Sequence, residues 1–355
     1  MAARTTADSC AITRSCSPAH CGACARPKGD SVRALLRRGL NYLAATGPMF
    51  RLFTRQNLFV FLYHDVTDDP SQFSRSANLY VTKAAFATQL RLIADMFEII
   101  SPTAISVPRS RPGALITFDD GMASYFETAV PIMAELRVPS LIFLNLEPIE
   151  DGTPFWSAIV TYLFETDPRF RELAVGAADK LAPREAFLAC TPALVDDYLQ
   201  SCDSSDITER ISAFFGRFAN RAHLREMERY RELVFFGNHL SNHYNAATLT
   251  PDGLRRTYLE NARRLAAYPN AVPFFSYPFG QPGSTFNRAT HEIIFACGAQ
   301  LIFSAYPLPN REPAAKLLHR TSMVDEIRTP KHLRARAMVP ALLNEWVRRR
   351  HVGFC

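Results

Sequence analysis

Short runs of consecutive apolar residues alternate along this chain with segments in which apolar residues recur at helical spacing. A short unbroken apolar run is typical of a strand that is buried on both faces. The strand-like runs are LFVFLYHDV (58–66), EIIS (98–101), ALITF (114–118), PSLIFLNL (139–146), ELVFFGNH (232–239), VPFFSYPFG (272–280) and AQLIFSAY (299–306). The segments 82–97 and 125–136 have helical periodicity. Strands that alternate with helices predict an α/β fold with a mostly parallel sheet, either open or closed into a barrel.

The rest of the chain departs from this alternation. Only helical patterns occur in residues 157–230, and we interpret them as a helical insertion. Residues 1–30 are rich in Ser, Ala, Cys and Pro without periodicity, and we expect them to be a disordered leader. Residues 31–57 are predicted to be a basic amphipathic helical segment, and residues 331–355 a basic C-terminal tail. One domain, 58–330, then contains the alternating elements and the insertion.

The positive charge is concentrated at the N-terminus. Residues 1–57 hold nine basic and two acidic side chains, so the rest of a chain of net charge +6 is about neutral. A neutral body argues against a nucleic-acid-binding core. The sequence has no recognisable secretory signal and no apolar stretch long enough to span a membrane, so we expect a cytoplasmic protein. The basic helix could lie on an anionic membrane surface, or it could pack on the domain with its charged face in solvent.

Adjacent carboxylates follow the run 114–118. Asp119 and Asp120 stand where the strand gives way to a loop, and Gly121 permits a tight turn. Two neighbouring like charges are unfavourable unless a cation lies between them or one of them is protonated. In parallel α/β folds, reactive groups gather at the carboxyl ends of the strands, and His64 ends its strand in the same way. The alternative is a simple turn that ends the strand.

Two histidines four residues apart follow another strand-like run. On one helical turn the side chains of His239 and His243 would face the same way, so their imidazoles could converge. One aspartate and two imidazoles supply three ligands to a divalent ion and leave positions open for water and substrate, as in catalytic sites. The second aspartate could then take a proton from water. The sequence therefore predicts a catalytic divalent metal centre.

Three motifs in this order, TFDDG, GNHLSNH and FSYPFG, give the chain a resemblance to the polysaccharide deacetylase family, the NodB-homology domain or carbohydrate esterase family 4. The resemblance implies a distorted (β/α) barrel and a metal-dependent hydrolase, usually with Zn²⁺. It implies an N-acetylated amino sugar as substrate, in an oligosaccharide or a polysaccharide. Because no export signal is evident, we expect the enzyme to act on a cytoplasmic precursor, for which a lipid-linked glycan is the candidate. By motif, Asp119 would be the catalytic base, and Asp120, His239 and His243 the metal ligands.

The third motif departs from the family. The arginine that orients the base there is absent from residues 276–280, which leaves the orientation of Asp119 unexplained. The backbone N–H of Phe279 would still stabilise an oxyanion. We expect His64, Tyr277 and Trp156 to contribute to substrate binding, although a single tryptophan could instead belong to the core.

The resemblance also implies a late histidine that protonates the leaving amine. His319, in LLHRTSMV, is the expected candidate, and His64 is the second. Arg320, beside His319, could instead be the residue that matters. Two other functions stay open at this point. One is a hydrolase for a non-sugar amide, and the other is a sugar-binding homologue without catalytic activity.

Overall fold

The computed structural model describes residue 39 and residues 47–54, 57–177, 183–202, 206–308, 310–311 and 315–350. The predicted leader 1–30, most of the 31–57 segment and residues 351–355 lie outside the described residues.

Seven parallel strands close into a barrel. In chain order the strands of the molecule are β1 (Leu58–Tyr63), β2 (Asp65–Val66), β3 (Tyr80–Val81), β4 (Glu98–Ile99), β5 (Gly113–Phe118), β6 (Ser140–Leu144), β7 (Val234–Asn238), β8 (Ala271–Ser276), β9 (Leu301–Ser304) and β10 (Leu317–Ser322). The barrel runs β1-β10-β9-β8-β7-β6-β5, and the β1–β5 pairing closes it. Strand β4 pairs with the start of β5, and β2 and β3 form a separate pair. The predicted (β/α) barrel is confirmed.

Helices surround the barrel. In chain order they are α1 (Gly47–Thr54), α2 (Gln72–Ser76), α3 (Lys83–Met96), α4 (Val130–Glu135), α5 (Leu146–Asp151), α6 (Trp156–Thr166), α7 (Pro168–Ala177), α8 (Pro183–Ala189), α9 (Pro192–Gln200), α10 (Ile207–Phe215), α11 (Arg221–Glu226), α12 (Pro251–Leu265), α13 (Arg288–Ala296) and α14 (Pro330–Arg350). In the described part of the chain, every element named between β6 and β7 is helical. No described helix is long and apolar enough to cross a membrane.

Residues along each barrel strand point alternately into the barrel interior and outward under the helices, so they belong to two separate hydrophobic cores. Phe143 of β6 and Phe303 of β9, which are not neighbouring strands, meet with ring centroids 5.0 Å apart, so both rings lie inside the barrel. Val60, Leu115 and Leu318 belong to the same interior cluster. The residues between them face outward and pack under the helices, since side chains alternate across a strand. Because both faces are buried, the strands appear in the sequence as continuous apolar runs.

The C-terminal segment predicted as a basic tail begins as a packed helix. Helix α14 packs against α1 and α3 and buries Leu333, Ala337 and Met338. Pro330 stands at its first position, where the missing backbone N–H has no intrahelical partner to lose. The basic side chains of the segment therefore lie on a helix whose apolar side contributes to the core.

Candidate metal centre

The turn after β5 directs two adjacent carboxylates toward different partners. Asp120 has φ of 72° and Gly121 has φ of 87°, so the backbone reverses in left-handed conformations directly after Asp119. Aspartate tolerates this region better than most residues. A side chain at position 121 would also collide with Ile149, whose Cδ1 lies 2.7 Å from an ideal Cβ. The Asp-Asp-Gly sequence is therefore needed to separate the two carboxylates.

Asp120, His239 and His243 form a compact cluster of ligand atoms. Asp120 Oδ1 lies 3.2 Å from His243 Nε2 and 3.5 Å from His239 Nε2. One ligand atom from each residue lies within 4.8 Å of the other two. Asp120 Oδ1 and His239 Nε2 are buried without hydrogen-bond partners, which is costly unless a cation supplies the missing interaction. The three residues therefore fit a divalent metal ion.

The orientation of His239 suits a metal ligand. Its Nδ1 lies 2.7 Å from the carbonyl oxygen of Ser276, which can only accept a hydrogen bond. The proton is therefore on Nδ1, and the lone pair of Nε2 faces Asp120 and His243. Metal-binding histidines commonly have this carbonyl partner, because it fixes both the tautomer and the ring orientation.

The histidines converge through a loop and not through the helical turn that the sequence predicted. Strand β7 ends at Asn238, and Leu240 has φ of 66°. The Asn238 side chain accepts a hydrogen bond from the Leu240 N–H at 2.9 Å. Asn145, after β6, donates to the carbonyl oxygens of His239 and Leu240. Side-chain amides thus fix a tight loop that brings both imidazoles to Asp120.

Two further residues, Asn242 and Ser241, hold the loop. The Asn242 side-chain oxygen accepts hydrogen bonds from the N–H groups of Trp156 and His243, both at 2.9 Å. Ser241 bonds to Thr257 of α12 through its N–H and its hydroxyl. The loop is therefore connected both to the helical insertion and to the barrel.

Arg320 occupies the place of the arginine missing from the third motif. Its guanidinium makes two hydrogen bonds to Asp119, of 2.6 Å to Oδ1 and 2.7 Å to Oδ2. Its remaining contacts are the Ser276 hydroxyl, the Ser304 carbonyl and the ring of Phe143. Arg320 is fully buried, so its single positive charge and its N–H donors are used inside the barrel. Strand β10 thus supplies the orientation of Asp119 that the sequence left unexplained.

The charges in the site favour an ionised base and neutral ligands. Burial by itself raises the pKa of Asp119, but the Arg320 guanidinium, with help from His239 and His64, outweighs it and holds that pKa below its usual range. The pKa of Asp120 is likewise well below its usual range, because its contacts with His243 and His239 outweigh burial. Burial lowers the pKa of His243, which favours the neutral imidazole that metals bind.

A cavity of about 420 Å³ opens above this cluster at the carboxyl ends of the strands. Its lining includes the catalytic candidates Asp119, Asp120, His243, His64 and Phe279. The other lining residues are Leu62, Phe73, Ala77, Leu79, Ser157, Thr161, Phe187, Leu188, Phe215, Gln281, Ala305 and Ser322. Phe279 has φ of 60°, and its ring contacts the His243 ring edge-to-face at 4.7 Å. His64, which follows β1, thus lines the same cavity as Asp119 and Asp120.

The structure does not bring His319 to the cluster. Strand β10 runs from Leu317 to Ser322, so His319 lies within the strand and not after its end. Since Arg320 points into the barrel, the preceding side chain points outward. There His319 Nδ1 lies 2.9 Å from the Ser304 hydroxyl. The choice of His319 as the late acid is therefore corrected. If LLHRTS is a strand, His319 and Arg320 must lie on opposite faces, but its residues do not show which of the two faces inward.

Tyr277 and Trp156 are also outside the cavity lining. The Tyr277 hydroxyl lies 2.9 Å from His291 Nδ1, and its ring stacks on Phe286 under α13. Trp156 is buried in the core of the helical insertion and packs against Tyr244. Neither side chain is placed to contact a substrate, so both expectations of substrate binding are corrected, and Trp156 takes the core role that was the alternative.

Comparisons with known proteins agree with this fold. No protein-family model and no curated protein matched the chain. Among solved structures, IcaB from Ammonifex degensii is 18% identical over 79% of this chain and 98% of its own, with a TM-score of 0.51. The deacetylase PplD of Streptococcus pyogenes, in complex with acetate, is 16% identical over 78% of this chain and 96% of its own, with a TM-score of 0.50.

A third structure extends the comparison. BC0361, a polysaccharide deacetylase from Bacillus cereus, is 12% identical over 79% of this chain and 69% of its own, with a TM-score of 0.53. At these identities the similarity concerns the fold. The chain has the barrel fold of polysaccharide deacetylases of the NodB type, which confirms at that level the resemblance seen in the motifs.

Proposed function

We propose that this protein is a metal-dependent deacetylase that hydrolyses the N-acetyl amide of an amino sugar. The observation that carries the proposal is that a metal-binding cluster and an oriented carboxylate lie side by side at one cavity. The cluster of Asp120, His239 and His243 fits a metal ion, and the adjacent Asp119–Arg320 pair provides an oriented, ionised carboxylate. Zn²⁺ suits a site of two imidazoles and one carboxylate.

The chain's own groups divide the work of amide hydrolysis. A divalent ion held by the three ligands would polarise the acyl oxygen and make water easier to deprotonate. Asp119, held by Arg320, takes the proton from the attacking water. The backbone N–H of Phe279 is the proposed donor to the oxygen that becomes negatively charged. A C–O bond forms, the C–N bond breaks, and acetate and a free amine leave.

We assign protonation of the leaving amine to His64. It lines the cavity together with Asp119 and Asp120, and its charge lowers the pKa of both carboxylates. His239 and His243 are committed as neutral ligands, and His319 faces away. Histidine is suited to proton transfer near neutral pH.

Acetate release from a panel of N- and O-acetylated glycans and non-sugar N-acetyl amides, with and without chelator, tests the proposal. We expect release from an N-acetylated amino sugar that chelator abolishes and added Zn²⁺ restores. Release only from a non-sugar amide would favour the related amide hydrolase. Sugar binding without acetate release would favour the catalytically silent homologue, although Arg320 supplies the arginine whose absence suggested that alternative.

We further propose a cytoplasmic enzyme with peripheral contact to the inner membrane surface. Helix α1 exposes Met49 and Leu52, the latter by 70%, and Arg51 lies between them in the sequence. Phe50 of the same helix is buried against Phe97, so α1 is attached to the barrel. These side chains offer exposed apolar area and a positive charge, the two contributions by which a helix binds an anionic lipid interface.

A further inference from the structure

The lining of the cavity beyond the metal cluster is mainly hydrocarbon. Phe73, Phe187 and Phe215 provide aromatic rings, and Leu79 and Leu188 provide aliphatic side chains. Apart from the catalytic candidates, the polar lining residues are Ser157, Thr161, Gln281 and Ser322. The Thr161 hydroxyl already donates to the Ser157 carbonyl at 2.7 Å. Few groups therefore remain to bond the many hydroxyls of an enclosed glycan chain, and buried hydroxyls without partners are costly.

The charges of the lining residues also favour an apolar, uncharged ligand. Among the described residues that line the cavity, none is lysine or arginine, whereas two are aspartates. Arg320 lies below the cavity with its guanidinium bonded to Asp119. A phosphate or carboxylate held away from the metal site would thus find no cationic side chain in the lining. This lining favours an uncharged group on the part of the substrate beside the amide.

The apolar wall is fixed to the catalytic residues. Phe187 of α8 contacts Phe279 edge-to-face at 5.9 Å, and Phe279 contacts the metal ligand His243. The carbonyl of Leu188 accepts a hydrogen bond of 2.6 Å from Asn245, two residues after His243. On α2 and α10, Phe73 and Phe215 stack with centroids 3.9 Å apart. The helical insertion therefore covers the cluster with a preformed hydrophobic surface.

Resting on the deacetylase function proposed above, we propose that the substrate is an N-acetylated amino sugar carrying an uncharged hydrocarbon aglycone, which binds against Phe187, Leu188 and Phe215. A cavity of about 420 Å³ is in the size class that encloses one small ligand, so it accommodates a sugar and its adjoining group better than a run of polymer. Burial of a hydrocarbon chain in this cavity supplies binding free energy in proportion to its apolar area.

The test compares two glycosides with the same sugar and the same amide. The full-length, metal-loaded protein is assayed for acetate release from the methyl and octyl glycosides of one N-acetylated amino sugar, below the critical micelle concentration. We expect kcat/KM to be at least about tenfold higher for the octyl glycoside, because of the added apolar burial. A glycosyl phosphate and an N-acetylated oligosaccharide complete the panel, and both should be poorer than the octyl glycoside.

Substitutions in the cavity lining test whether the preference for the octyl glycoside arises there. In Phe187→Ala the octyl-to-methyl ratio should fall several-fold, whereas Phe295→Ala, a half-buried phenylalanine on α13 outside the lining, should keep the wild-type ratio. Thermal melting identifies a misfolded variant, and Leu188→Ala then replaces Phe187→Ala. Equal rates for the two glycosides, or a preference for the phosphate or the oligosaccharide, would overturn this inference while leaving deacetylation intact. If no glycoside gives acetate release that chelator abolishes, the proposed function is overturned, and this inference falls with it.

Discussion

Asp119 and Asp120 are neighbours in sequence, yet each has its own set of partners. Asp119 bonds Arg320, whereas Asp120 faces two imidazoles. We expect Asp120→Ala to lose both metal and activity, because a three-ligand site reduced to two binds weakly. Asp119→Asn should keep the metal and lose about 10²–10⁴-fold in rate, the usual contribution of a positioned base. Metal analysis and acetate release measure both effects. An Asp119→Asn protein that is purified without metal would show that the roles are shared or reversed.

Arg320 sets the pH range in which the carboxyl group of Asp119 is ionised. It lowers the pKa of that carboxyl, so the base stays ionised as the medium becomes acidic, and the acid limb of the pH–rate profile lies at low pH. Lysine cannot reproduce the two parallel hydrogen bonds of the guanidinium. In Arg320→Lys the pKa of Asp119 should rise, and the acid limb of kcat/KM should move to higher pH.

The control for this shift is Arg264→Lys on α12, which alters a half-buried arginine that pairs with Glu150 and Asp151 away from the cavity. Its acid limb should stay at the wild-type pH. An unchanged acid limb in Arg320→Lys would mean that another residue is the base.

The two candidate acids differ in the direction of their side chains. His64→Ala should keep its fold and metal while losing the alkaline limb of the profile and most of the rate, since no other free histidine is proposed for the leaving amine. His319→Ala should retain the wild-type profile, because the imidazole lies outside the barrel. Steady-state rates across pH for both variants decide between them. The reverse result would restore His319 as the acid.

At the level of elements, the loop after β7 depends on amides that lie far away in sequence. Asn145 donates to the carbonyls of His239 and Leu240, and its side chain is fully buried. We expect Asn145→Ala to weaken metal binding about 10–100-fold, as the loss of a residue that orients metal ligands generally does. Titration of the metal-free protein with Zn²⁺ measures the change.

Asn270→Ala provides the matched control. Asn270 is also buried and also donates to a carbonyl, that of Val234, but at the opposite ends of β7 and β8. This variant should lose stability with little change in metal affinity. Equal losses of affinity in the two variants would indicate a general effect of destabilisation and not a specific role of Asn145.

Strand β10 shows how an element boundary changes a functional assignment. If the strand ended after Leu318, His319 would stand at the carboxyl ends of the strands, where the cavity opens. The strand continues to Ser322 because residues 320–322 pair with residues 60–62 of β1. Arg320 is stable there only because Asp119, from a strand that is not its neighbour, neutralises it.

At the scale of the whole molecule, the proposed membrane contact rests on the exposed surface of α1. Leu52→Glu should reduce pelleting with anionic liposomes at low salt, since it places a negative charge on an exposed apolar position. Leu259→Glu changes an exposed leucine on α12 and should pellet like the wild type. Binding that is absent in the wild type at low salt, or equal in both variants, would remove α1 from the membrane proposal.

The apolar runs and helical periods of the chain determined the elements and the class of fold, because parallel strands covered on both faces must be hydrophobic throughout. The motifs also identified Asp119, Asp120, His239 and His243, since their chemistry is visible in the residue types themselves. Closure of the barrel through β1 and β5 could not be read from local sequence, because it depends on pairing between distant segments. The tertiary structure alone decided that Arg320 orients Asp119, that Ser276 fixes the tautomer of His239, and that His64 faces the cavity while His319 faces away. Each of these depends on which side of a strand a residue occupies and on what lies across the barrel from it.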